Sequence, residues 1–164
     1  MRYRPAAMSI AIRIALAVLA LFVIAGCQAL GPSLIPDRSG PLVTITTRGG
    51  ECFEGPCGSV TAIAQNGEVH QVEPDVAELG TVPAEILSAL DAQIKTTDFA
   101  TLRAVPFQGE CPVNVDGQEV IFEFAAPTGV ERIASCETRI DPDHPLFLAV
   151  DAALTAVGVI PAGG

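Results

Sequence analysis

The feature that most constrains this sequence is an uncharged apolar run near its amino terminus. Residues 14–26 read IALAVLALFVIAG, and the residues before them contain three arginines and no acid. A basic start followed by a short apolar core is typical of a secretory signal peptide. The run is shorter than the ~20 residues that a membrane-spanning helix needs. The pattern therefore favours residues 1–26 as a signal peptide, and the folded part of the protein is expected in the residues that follow.

A cysteine ends the apolar run. Ile24, Ala25 and Gly26 place a branched aliphatic residue and two small residues directly before Cys27. This pattern resembles the lipobox of bacterial lipoproteins, and the resemblance covers residues 1–27 only. It implies cleavage before Cys27, a diacylglyceryl thioether on its sulfur and N-acylation of the new amino terminus. Gln28 stands where an Asp would favour retention in the inner membrane, so the resemblance favours the outer membrane in a Gram-negative cell.

Two other interpretations of the same segment are an ordinary secretory signal with an incidental cysteine and a buried apolar helix. Two or more acyl chains anchor a protein stably, whereas one chain binds only marginally. On the lipoprotein interpretation, the protein is lipid-anchored through Cys27 on the extracytoplasmic side of the cell envelope.

The charge of the chain limits its partners. Nine Lys and Arg stand against nineteen Asp and Glu, a net charge of -10, and without the three signal-peptide arginines the net charge is -13. Such a chain lacks the positive field that neutralises nucleic-acid phosphates. The sequence therefore predicts no nucleic-acid partner, and it predicts repulsion from anionic lipid headgroups.

The segment after the signal has no helical or strand periodicity. Residues 27–41 are rich in Gly and Pro, so we expect the lipidated cysteine to be followed by a flexible tether. The alternative is an arm that packs on the domain through Leu30, Leu34 and Ile35.

Residues 42–160 are expected to form a single α+β domain, followed by a disordered tail at 161–164. Alternating and β-branched runs predict five strands, of which four form two hairpins. These strands are Leu42–Arg48, Ser59–Gln65, Glu68–Glu73, Gln118–Phe124 and Val130–Cys136. Apolar residues at helical spacing predict one helix at about 83–95 and another from near Pro145 to before Gly158. The predicted fold is α+β, a small antiparallel sheet built of hairpins with two helices packed on one face.

Three local predictions refine this scheme. Asn66-Gly67 suggests a type I′ turn in the first hairpin. Residues 103–107 are interpreted as a short extended piece. Residues 111–117 are expected to form a loop, because a tight turn at Asp116-Gly117 would hold Cys111 and Cys136 too far apart for a disulfide.

Four cysteines remain when Cys27 is set aside, and three pairings are possible. The short spacing of Cys52 and Cys57 favours a disulfide between them, which leaves Cys111 to pair with Cys136. Structural disulfides are the preferred interpretation in an oxidising compartment.

Redox chemistry and a zinc site using Cys52, Cys57 and His70 or His144 are the alternatives. Asp141, Asp143 and His144 form the densest group of ligand-type side chains, and Ca²⁺ binding is conceivable there. Capping of the following helix by these acids is the preferred interpretation. The sequence thus predicts no metal and no cofactor.

No catalytic motif is present. The chain lacks a G-x-S-x-G elbow, a Gly-rich phosphate loop and a dinucleotide fingerprint. The leading hypothesis is therefore a non-enzymatic binding or scaffolding module that holds another envelope protein, with Phe53 as a possible partner contact. The alternatives are a small envelope hydrolase using Asp116 or the acids near Asp141 to His144, and a metal-binding sensor.

Overall fold

The computed structural model describes residues 40–50 and 57–159. The predicted signal peptide, Cys27 and the tail at 161–164 lie outside the described residues. Six strands, β1 to β6, have the bounds Val43–Gly49, Gly58–Ile63, Glu68–Glu73, Ala77–Thr81, Gln118–Ala126 and Gly129–Ala134. Three helices, α1 to α3, have the bounds Ala84–Thr96, Phe99–Arg103 and Pro145–Ala156, and a 3-10 helix has the bounds Pro112–Val115. In this part of the chain, no helix is both long and apolar enough to cross a membrane.

The strands form one antiparallel sheet in the order β4-β3-β2-β1-β5-β6. The central strand β1 pairs with β2 on one side and with β5 on the other, so that Val43 lies opposite both Ile63 and Phe124. The helices pack on one face of this sheet. The predicted fold class, an antiparallel sheet of hairpins with helices on one face, is confirmed.

One hydrophobic core fills the space between the sheet and the helices. Aromatic rings from several elements meet there: Phe122 of β5 lies 5.2 Å from Phe147 of α3, and Phe99 of α2 lies 5.5 Å from Phe124, between ring centroids. The predicted apolar stripes of the two longer helices face this core. Their buried members are Leu90, Ile94, Phe147, Val150 and Leu154.

Besides the 3-10 helix, strand β4 and helix α2 were missing from the predicted order. Strand β4 contains an acid and a glycine in the sequence AELGT, so it lacks the alternation that identifies a half-buried strand, and it forms by pairing with β3. Helix α2 begins at the N-cap residue Asp98, whose carboxylate accepts hydrogen bonds from the backbone N–H groups of Ala100 and Thr101. The extended piece predicted at 103–107 is present only in part. Arg103 belongs to α2, whereas Pro106 forms an isolated antiparallel bridge to Thr138, and the N–H of Phe107 donates to the carbonyl of Glu137.

The first hairpin is present, but its turn differs from the predicted type. Gly67 has a φ of 88°, whereas Asn66 is not among the residues with positive φ. The backbone N–H of Gly67 donates to the carbonyl of Ala64, and the Asn66 side chain accepts from the N–H of Glu68. A type I′ turn needs positive φ at both central residues, so the I′ prediction was wrong.

Candidate functional site

The face of the sheet opposite the helices carries no α-helix in the described part of the chain. Side chains alternate between faces along a strand. Since Val43 and Ile45 of β1 are buried under the helices, Thr44 and Thr46 point to the other side. Their cross-strand neighbours on this side are Ala62 and Val60 on β2 and Glu123 and Ile121 on β5. An antiparallel sheet can leave one face in water, and on this face aliphatic side chains lie among the polar ones.

Part of this uncovered face is concave. We call it the sheet-face groove; it has a volume of about 620 Å³. Its lining residues are Gly40, Pro41, Thr44, Val60, Ala62, Ala64, Gln65, Asn66, Glu68 and Val72. Val72 is 45% exposed. The groove therefore offers a mostly apolar floor with few polar groups, as binding sites commonly do.

The β3–β4 hairpin, residues 68–81, gives this side of the molecule its charge. It carries four acids, Glu68, Glu73, Asp75 and Glu78, and no lysine or arginine. All four are exposed, and so is Val76 between them. We refer to this element as the acidic hairpin. It combines exposed valines with uncompensated negative charge directly beside the sheet-face groove.

A second feature lies where β5 and β6 approach the loop at 104–117. Cys111 and Cys136 are joined by a disulfide with a Cα–Cα distance of 5.1 Å, which is the pairing predicted from the sequence. The prediction that residues 111–117 form a loop and not a tight hairpin turn is confirmed. They contain the 3-10 helix, and Asp116, the residue after its end, has a φ of 64°.

Glu119 is buried beside this disulfide. Only 1% of its side chain is exposed, and its Oε2 accepts a hydrogen bond from Nε of Arg48 at 2.5 Å. One carboxylate oxygen of Glu119 and the Sγ atoms of Cys111 and Cys136 lie within 4.8 Å of one another. We call these three residues the cysteine corner. Sequence reasoning missed Glu119, because it alternates with apolar residues along β5 in the same way as the exposed Glu123.

The acids near α3 line a separate groove of about 730 Å³. Asp98, Arg139, Asp141 and His144 all contribute to it. The acidic and imidazole groups have local structural roles there. Asp98 caps α2, and the Thr101 hydroxyl and backbone bonds to this cap lower the pKa of its carboxyl. Asp141 Oδ1 accepts from the N–H of Asp143.

The expected capping of α3 by acids was wrong. The N-cap residue is His144, whose Nδ1 accepts a hydrogen bond from the N–H of Leu146, and the first turn of the helix contains no acid. Pro145 follows at the first helical position, as its missing N–H allows. In the described residues, Asp141, Asp143 and His144 do not form a group with metal-ligand spacing.

Of the remaining predicted site residues, Cys57 and His70 lie within the described part of the chain. Cys57 is disulfide-bonded, whereas its predicted partner Cys52 lies outside the described residues. The possible partner contact Phe53 also lies outside them. His70 sits on β3 opposite Glu78, with its Nε2 3.7 Å from a carboxylate oxygen of Glu68.

Comparison with known proteins identifies no relative. No protein-family description, curated protein or solved structure matches the chain.

Proposed function

We propose that this protein is a lipid-anchored binding module of the bacterial cell envelope, and that it holds an envelope protein on the uncovered face of its sheet. The observation that carries the proposal is the sheet-face groove, a mostly apolar concavity on a face that carries no helix from residues 40–50 or 57–159. Thr44, Val60 and Ala62 line it. The free energy decreases when a partner removes such an apolar surface from water.

The chemistry of the surface specifies the partner segment. The groove accepts aliphatic side chains, and the acidic hairpin beside it carries four acids without a lysine or arginine. Complementary charge speeds association and selects among partners. The expected occupant is therefore a segment of another envelope protein that combines aliphatic residues with Lys or Arg.

Anchoring is tested by Cys27→Ser in the full chain expressed in a bacterial host. We expect the unsubstituted protein in the membrane fraction with the mass of two or three added acyl chains, and the variant without added lipid. Cys57→Ser is the matched control, because it removes a different cysteine and should keep the lipid. Intact mass spectrometry of unsubstituted protein with a free Cys27 thiol would refute the anchoring part of the proposal.

Binding is tested by site-specific photo-cross-linking in the native cell. A photoreactive residue replaces Val72 in the groove or, as control, Leu148 on α3; these side chains are 45% and 50% exposed. We expect a discrete cross-linked protein from position 72 only, with the cross-linked peptide containing aliphatic residues and Lys or Arg. Equal products from both positions, an acidic peptide, or cross-links to residues 28–39 of the same chain would contradict the proposal.

Charge reversal tests whether the acidic hairpin contributes to partner binding in addition to the apolar contact in the groove. Glu68→Lys with Glu73→Lys should reduce the position-72 cross-link strongly. Glu85→Lys with Glu110→Lys changes the net charge by the same amount at exposed acids outside the hairpin and should leave the cross-link unchanged. A loss of equal size in both pairs would show that overall charge, and not the hairpin, controls binding.

A further inference from the structure

The cysteine corner brings three potential metal ligands together from three separate parts of the chain. Cys111 precedes the 3-10 helix, Glu119 lies near the start of β5, and Cys136 follows β6. Their ligand atoms lie within 4.8 Å of one another. In tetrahedral coordination at Zn–S and Zn–O distances of about 2.0–2.3 Å, ligand atoms are separated by roughly 3.5 Å. Small side-chain movements after the S–S bond opens would reach that spacing.

We propose that the cysteine corner binds a zinc-class divalent ion when its disulfide is reduced. An external dithiol supplies two electrons and two protons, becomes a disulfide itself, and leaves Cys111 and Cys136 as thiols. The ion then displaces both thiol protons to solvent and is held by two thiolates and the Glu119 carboxylate, with water in the fourth position. In the oxidised protein each sulfur is bonded to the other and cannot act as a thiolate ligand.

The charges of the corner are consistent with a divalent ion. Two thiolates and one carboxylate carry three negative charges, which a divalent ion and the guanidinium of Arg48 neutralise. The Arg48 side chain is 60% exposed, whereas that of Glu119 is 1% exposed. Arg48 can therefore release Oε2 and remain solvated nearby, while the ion replaces it as the positive partner of the buried carboxylate.

The ligand set also selects the kind of ion. Thiolates favour zinc and similar ions, whereas calcium and magnesium prefer sites made of oxygen atoms alone. The corner is thus a redox-dependent zinc-class site, with metal content governed by the oxidation state of one disulfide.

The test uses full-length protein in detergent, reduced under anaerobic conditions or left oxidised, and titrated with Co²⁺ followed by Zn²⁺. Cobalt bound to thiolates gives a charge-transfer absorption band, so the band reports sulfur ligation directly. We expect one equivalent of Co²⁺ to bind to the reduced protein, with release of about two protons as thiolates form. We expect Zn²⁺ to displace the cobalt and the oxidised protein to give no band.

Matched variants identify the ligands. Cys136→Ser should lose most of the band, whereas Cys57→Ser, which removes a cysteine outside the corner, should keep it. Glu119→Gln should weaken Co²⁺ binding by at least about 100-fold, because removing a partner of a ligand alone costs about 10–100-fold and Glu119 is a ligand itself. Glu123→Gln, an exposed acid on the same strand, should not change the affinity.

Three results would overturn the proposal. They are a band of equal strength in oxidised protein, unchanged affinity in Glu119→Gln, and a band that disappears in Cys57→Ser while surviving in Cys136→Ser. If Cys136→Ser does not fold, the comparison of Glu119→Gln with Glu123→Gln still tests whether Glu119 is a ligand, because both changes preserve side-chain size.

Discussion

Glu119 is unusual for an acidic residue, because its side chain is almost completely buried. A buried carboxylate is costly unless a charged partner and hydrogen bonds compensate for lost hydration. Arg48 on the neighbouring strand β1 supplies both, since it lies opposite Glu119 in the register and donates from Nε. The pair links the end of β1 to the start of β5, beside the disulfide.

Arg48→Ala should destabilise the protein by about 3 kcal/mol, because it leaves the buried Glu119 carboxylate without its positive partner. The control is Arg132→Ala, which breaks the exposed ion pair with Glu137 and should cost less than about 1 kcal/mol. Urea unfolding followed by circular dichroism measures both. Equal losses in the two variants would show that the burial of Glu119 adds nothing to the strength of its pair.

Asp151 of α3 is a second carboxyl group whose ionisation changes on folding. Burial raises the pKa of its carboxyl above the ordinary 3.8, so folding favours the protonated form. Its favourable contribution is complete below pH 3.8 and is lost as the pH rises through the raised folded pKa. Asp151→Asn should therefore raise the melting temperature at pH 7 but not at pH 3. Asp75→Asn, in an exposed turn, is the control, and a pH-independent effect at position 151 would exclude burial of the charge as the cause.

Among the elements, the end of β1 and the 3-10 helix are packed closely enough to exclude a side chain. Gly49 has a φ of 82°, and a Cβ built there would overlap Cγ2 of Val113 and lie 2.8 Å from the carbonyl oxygen of Gly117. Glycine thus meets two requirements at this position, a left-handed backbone and a close approach of two elements.

Gly49→Ala should cost more than about 3 kcal/mol, because steric overlap adds to backbone strain. Gly158→Ala is the matched control, since Gly158 has a φ of 78° and no atom within 4 Å of a built Cβ. It should cost only about 1 kcal/mol of left-handed strain. Chemical denaturation of both variants measures the difference, and similar values would indicate that β1 and the 3-10 helix separate easily.

At the scale of the whole molecule, the helices and the disulfide act in different places. The helices bury one face of the sheet and form the core with it. The disulfide joins the loop that precedes β5 to the residues that follow β6. Among the described residues, the core does not include Cys111 or Cys136, so the hydrophobic stabilisation of the fold does not depend on this disulfide.

Replacing Cys111 and Cys136 together by serine should lower the free energy of unfolding by about 3 kcal/mol, the loop-closure value for a separation of 25 residues. The variant should keep its native circular dichroism spectrum, because the core packing is retained. Denaturant unfolding of the oxidised protein and the double variant gives the difference. A variant without cooperative unfolding would show that the disulfide is required for the fold itself.

Local patterns accounted for much of the architecture. Alternation around Val43 and Ile45, the turn at Asn66 and Gly67, and helical spacing around Leu90 are properties of neighbouring residues, so they predicted strands, a hairpin and a helix. Strand β4 was missed, because it becomes a strand only by pairing with β3. The cap of α3 was assigned to the wrong side chains, since Asp141, Asp143 and His144 are all able to cap and only the path of the turn selects His144.

The sequence by itself therefore indicated the class of fold, the β2–β3 and β5–β6 hairpins and the two longer helices, and it favoured the pairing of Cys111 with Cys136. Only the tertiary structure decided which acid is buried and which surface is open. Glu119 and Glu123 occupy equivalent positions in the alternation of β5, yet one lies under the disulfide and the other in water. Burial depends on what residues distant in the chain place against a side chain, and no local pattern contains that information.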